Sequence, residues 1–278
     1  MAGVTAEAKE AALDERLRAL GSVVVAFSGG VDSAYLAVRA HRVLGARALS
    51  VTAESASLAS AERRSALELA EAFGFAHRLI QTREFEDPAY LQNASDRCYH
   101  CKSELFRQLL PLAESLGFAH VAYGLIADDL TDFRPGHRAA AEAGVQSPLA
   151  DVGMSKEDVR ARSRALGLPT WDRPASPCLS SRIPYGTAVT AEALRRVEAA
   201  EEALRGLGFR ELRVRDLGEA ARVEIAPSEM PRLDDPALAR AVVDAVLKAG
   251  YREAVVDREG YRRGRLNEAL RVIPGALV

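Results

Sequence analysis

Apolar and β-branched residues gather in four short runs, Val23–Phe27, Ala48–Thr52, Ala76–Gln81 and His120–Gly124. Between them, apolar positions recur every three or four residues over Asp32–Leu44, Ala59–Phe73 and Lys102–Leu116. Short strand-like runs that alternate with helical stretches predict βαβ units and a parallel sheet, an α/β fold. In an open sheet of this kind ligands sit outside the carboxyl ends of the strands. Ser28–Ser33, Ala53-Glu54-Ser55 and Leu125–Asp132 all fall there, so three loops are expected to converge on one crevice.

The flanking pattern divides the chain further. Met1–Leu20 mixes acidic and basic residues among alanines and leucines, as an amphipathic helix does. Ser155, with Asp158 three residues on, is spaced as a capping box and opens a helix running to about Leu166. From Leu168 to Thr187 periodicity stops, and Pro169, Pro174, Pro177 and Pro184 enclose Trp171 and Cys178. A long irregular segment inside a compact protein is functional or disordered, and its aromatic, apolar and cysteine content argues against disorder. Beyond it follow a helix over Thr190–Leu207, a hairpin of Glu211–Arg215 with Ala221–Ala226 turned at Gly218, a helix over Pro236–Ala249 and a strand over Glu253–Asp257. The predicted organisation is an α/β domain over residues 1–167, a cysteine-bearing loop over 168–187 and a smaller α+β domain over 188–278.

Composition narrows the function classes. With 278 residues, 37 basic and 39 acidic side chains and a formal net charge of −2, the chain has room for two domains and no bulk affinity for nucleic acid. No apolar run approaches a membrane span or forms a signal-peptide core, so a cytoplasmic protein with reduced thiols and small-molecule partners is expected.

The chemistry begins at Ser28-Gly29-Gly30-Val31-Asp32-Ser33, between the first strand and the first crossover helix. Glycines let backbone N–H groups approach an anion, the following helix turns its positive end toward it, Ser28 and Ser33 add hydroxyls, and Asp32 can hold a magnesium ion on phosphate oxygens. Neither the G-x-x-x-x-G-K-[ST] loop nor the G-x-G-x-x-G fingerprint fits. The S-G-G-x-D-S run resembles the pyrophosphate loop of the ATP pyrophosphatase (PP-loop) superfamily, whose members split ATP into AMP and pyrophosphate while activating a carbonyl or carboxyl group.

All three cysteines fall in two segments: Cys98 and Cys101 at the start of a helix in Arg97-Cys98-Tyr99-His100-Cys101-Lys102, and Cys178 in Pro177-Cys178-Leu179-Ser180-Ser181-Arg182. Two sulfurs at this spacing can face one ion, and a helix N-terminus stabilises thiolates. Three thiolates suit a [4Fe–4S] cluster with one iron left open. A zinc site would need a fourth ligand that His100 is poorly placed to give, and a thiol or disulfide role also fits. Arg173 and Arg182 flank Cys178 and are expected to favour its thiolate.

Together with the phosphate loop, the segments Thr52–Ser55, Arg97–Lys102, Ala127–Gly136 and Pro177–Gly186 make the chain resemble the LarE family of ATP-dependent sulfur transferases over nearly its full length. Members convert a pyridinium biscarboxylate mononucleotide to its bis-thiocarboxylate form on the way to the nickel-pincer nucleotide of lactate racemase, and tend to assemble as hexamers. The resemblance implies a PP-loop α/β domain with a smaller C-terminal domain. It implies ATP binding at Ala26, Ser28, Gly29, Gly30, Asp32, Ser33, Thr52, Gly124 and Asp129, with magnesium at Asp32. It makes Cys178 the sulfur-bearing position; with Cys98 and Cys101 present, it implies a [4Fe–4S] cluster on all three cysteines rather than sacrifice of Cys178 to dehydroalanine. Arg182, Glu201, Arg213, Arg215 and Glu224 would bind the substrate, Arg213 and Arg215 lying on one face of the hairpin strand. A solvated hairpin and helix face is the other reading of the hairpin arginines and the two glutamates. Asp128, Asp129 and Asp132 are further candidates for the crevice, although aspartates also favour turns. Where family members commonly carry Gly-Thr-Asn, this chain has Gly124-Leu125-Ile126.

Three other functions compete. A tRNA thiolation enzyme would share the chemistry, and a basic face would betray it. An amidotransferase-type synthetase would carry a glutaminase segment. A nucleotide-binding sensor would form no AMP.

Overall fold

The computed structural model describes residues 4–131, 135–174 and 176–262, so Asp132 lies outside the described residues. In chain order the elements are α1 (Ala6–Leu20), β1 (Val23–Ala26), α2 (Val31–Leu44), β2 (Ala48–Glu54), α3 (Ser60–Phe73), β3 (His77–Gln81), α4 (Pro88–Leu91), α5 (Arg97–Ser115), β4 (His120–Tyr123), α6 (Pro135–Glu142), α7 (Pro148–Asp151), α8 (Lys156–Ala165), α9 (Ala191–Gly206), β5 (Leu212–Leu217), β6 (Ala220–Ile225), α10 (Pro236–Lys248) and β7 (Glu253–Val256). They form two compact units, Met1–Glu86 with Cys98–Ser176, and Asp87–Arg97 with Pro177–Val278. The division falls after Ser176, inside the irregular segment, and gives residues 87–97 to the second unit.

The first unit is an α/β fold around a four-stranded, all-parallel sheet in the order β3-β2-β1-β4. β1 is buried along its whole length, and its side chains alternate between two apolar layers. Val23, Val25 and Phe27 pack with Leu13, Leu17, Tyr35, Leu36, Leu69 and Val159, so α1, α2, α3 and α8 cover one face. Val24 and Ala26 pack with Leu105, Phe106, Leu109 and Ala140, so α5 and α6 cover the other. Truncating a fully buried leucine such as Leu17 or Leu109 to alanine costs about 2–5 kcal/mol. Beyond β4 a single parallel bridge, Ala122 to Gln146, extends the sheet by one rung. Strand order reverses between β1 and β4, which makes their carboxyl ends the switch point where ligands bind.

The strands and crossover helices lie within a few residues of their expected positions. The exception is α5, which starts at Arg97 rather than Lys102, so Cys98 and Cys101 stand on the first helical turn. The polar run that opens this helix carries no apolar period. Its start is fixed instead by the Arg97 N–H to Ala94 O turn and by burial of the Arg97 guanidinium.

The second unit pairs β5 and β6 antiparallel through a two-residue turn at Gly218-Glu219, where Gly218 takes φ 86°; β7 then pairs parallel to β6 after the α10 crossover. Ala200 and Leu204 of α9, Val242 and Val246 of α10, Phe209 and Tyr251 close its core.

Candidate active site

The phosphate loop is built at the β1–α2 junction of the first unit. Gly29 takes φ 75°, a conformation other residues adopt only with strain. The loop is held from within: the Ser28 N–H donates to Ser33 Oγ at 3.2 Å, the two hydroxyls lie 3.0 Å apart, and Ser33 Oγ donates to Gly30 O at 3.2 Å. Sheet register sets Ala26 beside Val51 and Tyr123, so Ala26 at the end of β1, Gly124 just after β4 and Thr52 within β2 lie within one residue of a common level on three adjacent strands. Gly124 has no substitute, because a Cβ there would stand 2.8 Å from Ser33 N and 3.0 Å from Asp32 C. The residues expected to bind ATP are thus drawn to one edge of the sheet.

Asp32 sits in the first turn of α2. Its Oδ2 accepts from Lys156 Nζ at 2.5 Å, while Oδ1 is buried without a hydrogen-bond partner among the described residues. Burial pushes the carboxyl pKa up, Lys156 opposes this, and the nearby Asp129 adds to it. A buried carboxylate oxygen without a hydrogen-bond partner among the described residues, with a second carboxylate near enough to be felt, fits magnesium, which is held by one or two carboxylates together with phosphate oxygens. Lys156 gave no signal in the sequence beyond following the Ser155 cap. Its backbone N–H donates to Asp128 Oδ2 at 2.9 Å, and the Ser155–Asp158 capping box fixes the start of α8.

Thr52 is tied down as well. Its hydroxyl donates to Phe27 O at 2.7 Å, which leaves Oγ1 to accept from His77 Nε2 at 2.9 Å. Burial pushes the His77 pKa down, so the imidazole is neutral with its proton on Nε2.

In the second unit Cys178 is exposed and precedes a 3-10 turn, Leu179–Arg182. Arg182, 1 % exposed, donates to Pro177 O at 2.5 Å and Cys178 O at 3.1 Å, and bidentately to Glu201 at 2.8 and 3.0 Å. Glu201 also accepts from Val214 N and Arg205. Burial raises its pKa, but Arg182, Arg205 and Arg213 together hold it below the usual carboxylate range. Arg215 donates twice to Glu224 Oε2, at 2.9 and 2.8 Å, and once to Ser181 O at 2.9 Å. Arg213 stacks on Tyr261, with its charge disfavoured by burial and by Arg182. The hairpin arginines and both glutamates are buried rather than on a solvated face. Arg182, Arg213 and Arg215 are three buried guanidiniums, whose planar donors suit an anionic ligand.

Other residues shape the Cys178 turn without having been legible in the sequence. Asn93, fully buried at φ 56°, donates to Ile183 O, Pro184 O and Thr187 O. Tyr90 OH lies 2.7 Å from Ser180 Oγ, and Arg97 donates to Asn93 Oδ1 and, at 2.8 Å, to Ser180 O. Arg173 is engaged by Glu62 in the first unit and Arg182 by Glu201 in the second. Cys98 is exposed and Cys101 half-buried. Among the described residues no group of three or more His, Cys, Asp or Glu side chains is disposed to hold a metal ion, and no helix is long and apolar enough to cross a membrane.

Comparison with known proteins gives this geometry a family. Residues 5–102 match the asparagine synthase family model. An uncharacterized protein of Synechocystis sp. is 45% identical over 90% of this chain and 94% of its own length. Pyridinium-3,5-bisthiocarboxylic acid mononucleotide synthase of Lactiplantibacillus plantarum is 37% identical over 96% of both chains. The chain belongs to the LarE family. It is an ATP-dependent sulfur transferase of the PP-loop superfamily, with the α/β fold expected of one. A tRNA-specific 2-thiouridylase of Azorhizobium caulinodans is 31% identical over 55% of this chain and 49% of its own, a similarity within the superfamily that stops short of the full LarE length.

Proposed function

We propose that this LarE-family chain adenylates the carboxylates of a pyridinium biscarboxylate mononucleotide and replaces each activated oxygen with sulfur, for nickel-pincer nucleotide synthesis. The single observation that carries the adenylation is the phosphate loop, with the buried, half-partnered Asp32 at the head of α2. The substrate class rests on the full-length similarity to the L. plantarum synthase and on the buried guanidiniums of the second unit, suited to a substrate phosphate.

A substrate carboxylate oxygen attacks the α-phosphorus of ATP, the bond to pyrophosphate breaks, and pyrophosphate stays on the backbone N–H groups of Ser28–Ser33. Asp32, with Asp129 nearby, would hold magnesium, which would offset phosphate charge. Lys156 moves its ammonium from Asp32 to the phosphates. K156M is expected to slow adenylation by roughly 10- to 1000-fold, read as pyrophosphate release. A sulfur nucleophile at Cys178 then attacks the acyl carbon, AMP departs with the oxygen, and the thiocarboxylate is freed when that sulfur's bond to its donor breaks.

Cys98, Cys101 and Cys178 would hold the [4Fe–4S] cluster, which when bound supplies a renewable sulfide. The cysteine count and the three-residue spacing of Cys98 and Cys101 on the first turn of α5 support this reading. Anaerobic purification with iron and sulfide quantified before and after C98S tests it. Absorption near ~400 nm that is lost in the variant supports the cluster. An iron-free protein that loses sulfur from Cys178 in one turnover, through Cβ–Sγ cleavage with loss of the Cα proton, overturns it. We also propose a homohexamer, which sedimentation would test.

A further inference from the structure

The structure assigns Glu62 and Arg173, neither with a role in the reaction as described, to a latch that positions the sulfur-bearing segment. The inference rests on the sulfur-transfer reading above. Glu62 lies in the first turn of α3, the helix against which the phosphate loop leans: a Cβ on Gly29 would stand 3.6 Å from Ala66 Cβ and 3.7 Å from Glu62 O. One oxygen of Glu62, Oε1, accepts from Arg173 Nη2 and from Ser176 Oγ, both at 2.9 Å. Arg173 Nη1 continues to Ser65 Oγ at 3.1 Å and to the phosphate-loop carbonyl of Gly29 at 3.5 Å. Its own carbonyl accepts from Arg160 of α8 at 3.0 Å. Arg173 and Glu62 are both more than two-thirds buried, which raises their coupling above that of an exposed pair.

Ser176 is two residues before Cys178, a span of at most about 7 Å. One carboxylate oxygen therefore fixes the point from which the chain runs to the sulfur, on the same helical turn that supports the phosphate loop. Glu62 also sits where a negative charge favours a helix N-terminus, which by itself would be a structural role. The two roles separate experimentally. A structural carboxylate affects both half-reactions through stability, whereas a latch affects sulfur delivery, because Arg182 and Arg215, proposed to bind the substrate, are held by Glu201 and Glu224 and not by Glu62.

The test is full-length protein, purified without oxygen, assayed with MgATP and pyridinium-3,5-biscarboxylic acid mononucleotide for pyrophosphate release and for thiocarboxylate formation, in wild type, E62A, E62Q, R173A and R173K. In E62A and R173A, thiocarboxylate formation should fall roughly 10- to 100-fold, the scale of a misplaced reacting group, with E62A holding pyrophosphate release within about twofold (RT ln 2 ≈ 0.4 kcal/mol). E62Q keeps the accepting oxygen and should recover most of the loss, as should R173K in part. Limited proteolysis should cut the 170–187 segment faster in E62A than in wild type at equal melting temperature. Equal losses in both half-reactions, or sulfur transfer unchanged in E62A, overturn the latch. Wild-type protein that forms no AMP with this substrate overturns instead the reading on which it rests.

Discussion

His77 carries a pH dependence that can be worked out from its surroundings. Burial holds its pKa below the ordinary value of about 6.5, so the neutral ring contributes stability that is complete above that value and lost as pH falls through it toward the folded-state pKa. The melting temperature should therefore drop between about pH 7.5 and about pH 5.5, and H77Q should flatten that drop. Gly124→Ala puts a methyl group against Ser33 N and should cost about 1–3 kcal/mol together with a loss of ATP affinity by calorimetry. Breaking the buried Arg182–Glu201 pair with E201A strands a guanidinium and should cost about 3–5 kcal/mol in denaturant unfolding. The candidate phosphate loop stands out in the sequence because glycine, serine and aspartate at a strand-to-helix turn have few other uses. Asn93, Lys156 and Glu62 do not, since their partners lie far along the chain and nothing local marks them.

At the scale of elements, β1 was legible because burial on both faces demands an uninterrupted β-branched run, Val23-Val24-Val25, whereas the edge strand β3 holds polar residues and no buried position. The apolar period of α5 begins only at Lys102, because Arg-Cys-Tyr-His-Cys-Lys has none; the placement of Cys98 and Cys101 at a helix start came from their spacing, and the helix opens there, at Arg97. The irregular run from Leu168 to Thr187 reads as punctuation in sequence, yet much of it is tied by side chains: Arg173 to Glu62, Arg182 to Glu201, and Asn93 to three carbonyls. The start of α8 is set by its capping box, so S155A should cost about 1 kcal/mol. Because the same cap aims Lys156 at Asp32, S155A should also lower the rate of pyrophosphate release by a smaller factor than K156M does.

Over the whole molecule, two units carry complementary chemistry. The first offers an anion cradle and an acidic pair at a sheet edge; the second offers buried guanidiniums around a turn that begins with an exposed cysteine. Near-neutral net charge suits a small charged nucleotide better than a nucleic acid backbone. The most direct test is to incubate the anaerobic full-length protein with MgATP and pyridinium-3,5-biscarboxylic acid mononucleotide and follow both nucleotides by mass spectrometry. The account predicts AMP and pyrophosphate in step with exchange of carboxylate oxygen for sulfur, abolished in C178A. ADP as the product, or AMP formed with no sulfur entering the pyridinium nucleotide, would contradict it.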